Sequence, residues 1–146
     1  MRRIKEKKVI YILLINLKEP KKIKVGKLGM MIFKPGIYLY LGSAQAGFKT
    51  RIRRHLRNEK KLFWHIDYLL REAEIEEVWL KKDESVECKT AMEIQNYSDF
   101  SFHPIKGFGS SDCNCLTHLF YFPECSSKIK DLRTKLKFEK LETNGN

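Results

Sequence analysis

A chain of 146 residues with 42% hydrophobic content has enough apolar material for one domain around a single core, and two domains would each bury too little. The formal charge of +11 points toward a nucleic-acid partner, because neutralising phosphates releases counterions, although a thermophile-like surface rich in Lys and Glu has the same composition. No apolar run approaches the roughly 20 residues that span a bilayer, and basic residues 1–8 lead into no signal-peptide core, so a cytoplasmic protein without a membrane partner is expected.

In chain order, the basic arm Met1–Lys8 precedes an apolar strand, Val9–Leu17, which Glu19-Pro20 interrupts. A hairpin follows, with strands expected near Ile23–Val25 and Lys27–Phe33. Ile37–Leu41 is β-branched, aromatic or aliphatic and is bounded by Pro35-Gly36 and Gly42-Ser43, which predicts a short buried strand. Gly42, Ser43, Ala44, Ala46 and Gly47 leave room for a close backbone approach before helical spacing starts at Phe48. Phe48, Ile52 and Leu56 then recur at i, i+4 and i+8 and predict a buried stripe. Arg51 and His55 border that stripe one turn apart. Lys49, Arg53 and Arg57 form an outer basic stripe, which Arg54, Lys60 and Lys61 extend into a surface expected to bind nucleic acid.

Phe63, Ile66, Tyr68, Leu69 and Leu70 predict a second helix packed on the first, with His65 and Asp67 inside it. Past an acidic segment, Val78–Leu80 reads as a strand and Val86–Tyr97 as a helix with Val86, Ala91 and Ile94 inward. Gly107–Asp112 is a turn cluster whose amides suit either a phosphate nest or an ordinary tight loop. Leu116–Phe122 is the last expected strand. From Ser126, Ile129, Leu132 and Leu136 space a weak amphipathic helix, so 9–125 is expected to be the domain and 126–146 a basic C-terminal helix and tail. In a chain without a secretory signal, Cys88, Cys113, Cys115 and Cys125 are expected as free thiols. Cys113-x-Cys115-x-x-His118 invites a zinc reading, but structural zinc sites space their thiolates more widely and bring a second pair, so zinc is not expected.

Tyr40-Leu41-Gly42-Ser43-Ala44 followed by Arg51-Ile52-x-x-His55 resembles the second half of the GIY-YIG nuclease signature: Y-x-G on a strand, then a helix with R-[I/L]-x-x-H. With FWHIDYLL at 63–70 and GFGSSDCNCLTHLFYF at 107–122, the chain is similar from Val9 to Phe122 to a small branch of that superfamily. The branch occurs alone or joined to endonuclease III-type repair enzymes. The literal Gly36-Ile37-Tyr38 is not the first motif, since it abuts Tyr40-Leu41-Gly42 on one strand where the family has two neighbouring strands. Val9-Ile10-Tyr11 matches better, with Val9 in place of the glycine and a hairpin through Val25–Gly29 lengthening the interval to Tyr40.

The resemblance implies an α/β fold: a small central mixed or antiparallel sheet, with strands near Val9, Lys27, Ile37 and Val78, flanked by helices and carrying an added N-terminal hairpin. Tyr11 and Tyr40 should lie on adjacent strands and reach the same edge. It further implies a metal-dependent endonuclease acting on structured or damaged nucleic acid, DNA ahead of RNA with the choice between them left open, and with Mg²⁺ or Mn²⁺. Tyr11 would help deprotonate the attacking water, Arg51 would steady phosphate charge and Glu87 would hold the metal, with Tyr40 and His55 as supporting polar groups. Plainer readings stand beside these: a half-buried strand aromatic for Tyr40, a satisfied buried histidine for His55, a first-turn charge for Glu87, for which Glu93 is the rival. His65 is either a family histidine or one member of an amphipathic helix. The alternative function is a non-catalytic nucleic-acid-binding module that serves a repair partner. The resemblance assigns no role to Asp112, Cys113, Cys115 or His118 and no oligomeric state.

Overall fold

Val9–Leu17 carries a single polar residue, Asn16, and a strand of that composition is stable only where both of its faces are covered. In the computed structural model, which describes residues 9–44, 48–57, 62, 64–82, 90, 93–94, 103–104, 108, 117–122 and 127–141, this strand, β1, lies inside a six-stranded antiparallel sheet. Its neighbours are β4 (Gly36–Ala44) and β5 (Glu74–Lys82). β7 (Leu119–Phe122) pairs with β4, β6 (His103–Pro104) closes that rim, and β8 (Glu139–Leu141) lies on the outer side of β5.

Alternation along the strands sorts the core into two layers. Ile10, Ile12 and Leu14 join Leu39, Leu41, Trp79 and Phe120 on one face, where α3 (Ser127–Lys135) brings Ile129 and Leu132, with Leu136 and Phe138 just beyond it. Tyr11, Leu13 and Ile15 join Tyr38, Tyr40 and Val78 on the other. That second face is covered by Ile52 of α1 (Phe48–Leu56), by Ile66 and Leu69 of α2 (His65–Leu70), and by a hairpin of β2 (Lys21–Lys24) and β3 (Met30–Phe33), which buries Ile23, Val25 and Phe33. The α/β class, the central antiparallel sheet, the flanking helices and the added hairpin are all as expected.

Several details differ, among them that β5 begins at Glu74 inside the acidic segment and that the last expected strand, Leu116–Phe122, is a strand from Leu119 on. The strand expected near Lys27 is not part of the central sheet: Gly26–Leu28 forms one 3₁₀ turn, and among the described residues β2 and β3 pair only with each other. Gly26 and Gly29 supply that turn's positive φ angles of 46° and 80°, which allow the chain to reverse there. β4 runs on through Gly42-Ser43-Ala44 instead of stopping at Leu41, because β1 pairs with it along its whole length. Leu56 is exposed, so the apolar stripe of α1 is shorter than its spacing predicted. The segment from Ser126 is not merely a helix and tail: β8 extends the central sheet, and four core side chains come from residues 129–138. The expected helix Val86–Tyr97 lies mostly outside the described residues, though Ile94 is buried as its spacing implied. Among the described residues no helix is long and apolar enough to cross a membrane.

The turn from α3 into β8 explains how that last strand is aimed. The amide of Lys137 donates to the Thr134 carbonyl and that of Phe138 to the Arg133 carbonyl, the paired closure of a Schellman motif. Lys137 occupies its left-handed position at φ 63°, where a β-carbon is disfavoured and glycine is not. Lys137→Gly should therefore raise the unfolding free energy by about 1 kcal/mol in denaturant titration, whereas Lys137→Val should lower it.

Candidate active site

The register of β1 against β4 sets Tyr11 opposite Gly42 and Leu13 opposite Tyr40, so the two tyrosines share the face covered by α1 and α2. Gly42 is required there by contact. A β-carbon on it would sit 2.4 Å from Cζ of Tyr11 and 2.5 Å from the hydroxyl, far inside van der Waals range. The Tyr11 ring thus lies across the glycine, and its hydroxyl meets His55 Nε2 at 2.8 Å. Tyr11 and His55 are each 2% exposed, and the Tyr40 ring centroid stands 6.3 Å from that of His55.

The helix that carries His55 is held by a buried carboxylate. Asp67 of α2 is fully buried, and both of its oxygens accept from the guanidinium of Arg54, at 2.8 and 2.9 Å. The same carboxylate accepts from the Trp64 amide at 2.8 Å, which fixes the start of α2. Hydrogen bonding to Asp67 pushes the Arg54 pKa up, so its charge is constant at any accessible pH. The Trp64 ring then packs under three α1 side chains: the Arg51 guanidinium at 4.9 Å, that of Arg54 at 4.5 Å, and the imidazole of His55, centroid to centroid, at 5.6 Å. Arg51 donates in addition to the Ser43 carbonyl at the end of β4. One indole therefore orders an arginine beside the tyrosine–histidine pair, through cation–π and ring contacts.

The other expected residues divide. Lys49 and Arg53 on α1, and Arg57 just past its end, are exposed, as a basic outer stripe requires. Arg54 is not part of that surface, because its fork is committed to Asp67. Glu93, the rival for Glu87, is exposed, and His65 is half-buried against Phe108, with burial pushing its pKa down. Tyr38, from the literal Gly-Ile-Tyr, donates to the Lys34 carbonyl at 2.6 Å, and burial holds its hydroxyl well above the usual tyrosine range. Glu87, Lys60, Lys61, Asp112, Cys113 and Cys115 lie outside the described residues. His118 is buried, its carbonyl accepting from Leu41 and its amide donating to Phe108. Among the described residues no three His, Cys, Asp or Glu side chains gather as metal ligands. Sequence reasoning assigned no part to Asp67 or Trp64; the signal was a lone acid within the apolar pattern of residues 63–70.

A family model described as "Domain of unknown function DUF123" matches residues 10–141. No curated protein and no solved structure matches the chain.

Two substitutions test this geometry. Gly42→Ala should cost about 1–3 kcal/mol through overpacking against Tyr11, and a double-mutant cycle should show that most of this penalty disappears in a Tyr11→Ala background. Arg54→Ala should cost about 3–5 kcal/mol, because it strands a buried carboxylate, and near-ultraviolet dichroism should report a loosened Trp64.

Proposed function

The chain belongs to the DUF123 family, and on that premise we propose that it is a GIY-YIG-type endonuclease hydrolysing phosphodiester bonds of structured or damaged DNA with Mg²⁺ or Mn²⁺. The observation that supports this reading is the 2.8 Å contact between the Tyr11 hydroxyl and His55 Nε2, beside a helix that presents Arg51.

A free tyrosine titrates near 10, so a tyrosine acting as a base near neutrality needs somewhere to send its own proton. His55 is that acceptor when its proton sits on Nδ1. The phenolic proton moves to Nε2 as the phenolic oxygen takes a proton from water. The hydroxide so formed attacks phosphorus, and the bond to the leaving oxygen breaks, its electron pair going with that oxygen, which takes up a proton from solvent. Arg51 spends one N–H on the Ser43 carbonyl and keeps donors enough to hold two phosphate oxygens, where negative charge grows in the transition state. Glu87 is the residue that the GIY-YIG resemblance assigns to a divalent metal, which when bound supplies positive charge at the phosphate and a more acidic water.

The burial of Tyr11 and His55 favours a second reading, a nucleic-acid-binding module without cleavage that assists a DNA-repair partner. Incubating branched, abasic and single-stranded DNA and RNA with Mg²⁺ or Mn²⁺, and with chelator, separates the two. Metal-dependent cleavage supports the endonuclease; binding without cleavage supports the module.

Arg51 is the sharpest test residue. Arg51→Ala and Arg51→Lys should fold and still bind DNA, while cleavage falls by roughly two to three orders of magnitude, the scale of losing one transition-state donor. Arg53→Ala is the matched control, with the same charge on the exposed stripe and no Asp67 to strand. Equal losses in both, arising only from weaker binding, would remove Arg51 from the chemistry.

A further inference from the structure

Between Glu19 and Glu59 the chain carries six lysines and four arginines and not one Asp or Glu. Four of those lysines lie in the β2–β3 hairpin, whose two sides differ sharply. The inner side is occupied: Ile23, Val25 and Phe33 are buried in the same cluster as Ile52 of α1, the Tyr68 ring stands over Gly26, and Lys21 pairs with Glu72 at 3.6 Å. On the outer side Lys22 is opposite Ile32 and Lys24 is opposite Met30. Directly opposed residues point the same way, so one strand presents a row of cations and the other a row of apolar side chains. That apolar row is open, with Ile32 75% and Met30 55% exposed, and Leu28 and the cationic Lys27 continue the two chemistries at the tip.

A two-stranded ribbon has the dimensions that enter the major groove of B-DNA, about 12 Å wide, where apolar side chains meet thymine methyl groups. Lysines along its flank meet phosphates, and the ribbon has no carboxylate to repel them. The exposed cations Arg53 of α1 and Arg57 just past its end extend from the layer on the same face of the central sheet, where Ile52 of α1 is buried. We propose that the outer face of the β2–β3 ribbon is a second nucleic-acid contact that docks in the major groove of duplex DNA, Lys22 and Lys24 on phosphates and Met30 and Ile32 on the groove floor. The proposal takes its partner class from the reading above but needs no cleavage.

The test is fluorescence anisotropy of the full chain with a labelled duplex, in chelator, over a salt series. All four residues are exposed, so their variants should fold, which thermal melts will check. Lys22→Ala with Lys24→Ala should lower the slope of log affinity against log salt by about two, near the value for losing two phosphate contacts. Met30→Ser with Ile32→Ser should weaken binding about tenfold at unchanged slope, and more on A·T-rich than on G·C-rich duplex. Arg53→Ala with Arg57→Ala reports the α1 surface separately. If that variant loses affinity while both ribbon variants match wild type, the ribbon proposal is overturned and the nucleic-acid reading survives. If the ribbon variants behave as expected and the wild type never cleaves with metal, hydrolysis falls and the ribbon stands. Polyglutamate binding as tight as the duplex at equal salt, lost in the Met30/Ile32 variant, would overturn the groove in favour of an acidic protein partner, and absence of any duplex binding by wild type would overturn it outright.

Discussion

A carboxylate with no exposure to water has to be neutralised inside the protein, and the whole α1–α2 layer is arranged around how Asp67 meets that requirement. Arg54 supplies both oxygens with donors and thereby sets how far α1 can rotate. The Trp64 amide takes a further lone pair, and its ring is then positioned under Arg51 and His55. A buried ion pair of this kind contributes little net stability compared with an apolar pair of the same volume, while breaking it is costly. Its value here is orientational: the arginine and the histidine beside Tyr11 take their places from a carboxylate one helix away.

Periodicity made much of the fold legible, and the failures share a cause. The continuous apolar run of β1, the start of α1 at Phe48 and the apolar spacing of α2 all reflect which faces are covered, and local pattern reports that directly. Which sheet a strand joins is not local information. Residues 21–33 read as a hairpin, yet nothing in their alternation says that β2 and β3 would pair only with each other. Glu139-Lys140-Leu141 has no strand signal at all and becomes β8 because the turn at Lys137 delivers it to β5.

Within the candidate site, the spacing of Arg51 and His55 was readable because both lie on one short helix. The first tyrosine was harder, since Gly36-Ile37-Tyr38 offers a literal match whose hydroxyl is engaged by the Lys34 carbonyl. The cross-strand register separates the two: Tyr11 lies over a glycine and reaches His55, and Tyr38 does neither. Arg54 could not be told from Arg53 by charge or position in the sequence, because what distinguishes them is a partner thirteen residues further along that only packing of α2 on α1 brings near.

The rims of the sheet carry a consequence for the protein in solution. Among the described residues both outermost strands are very short, three residues in β8 and two in β6. β8 presents exposed Glu139 and Lys140, while Pro104 in β6 has no amide hydrogen to offer another strand. A long, flat, apolar edge is the template on which chains add to one another, and among the described residues neither rim strand is of that kind. With its most apolar strand, β1, in the interior and hydrogen-bonded to β4 on one side and β5 on the other, the molecule keeps the backbone of the segment best suited to cross-β stacking already paired.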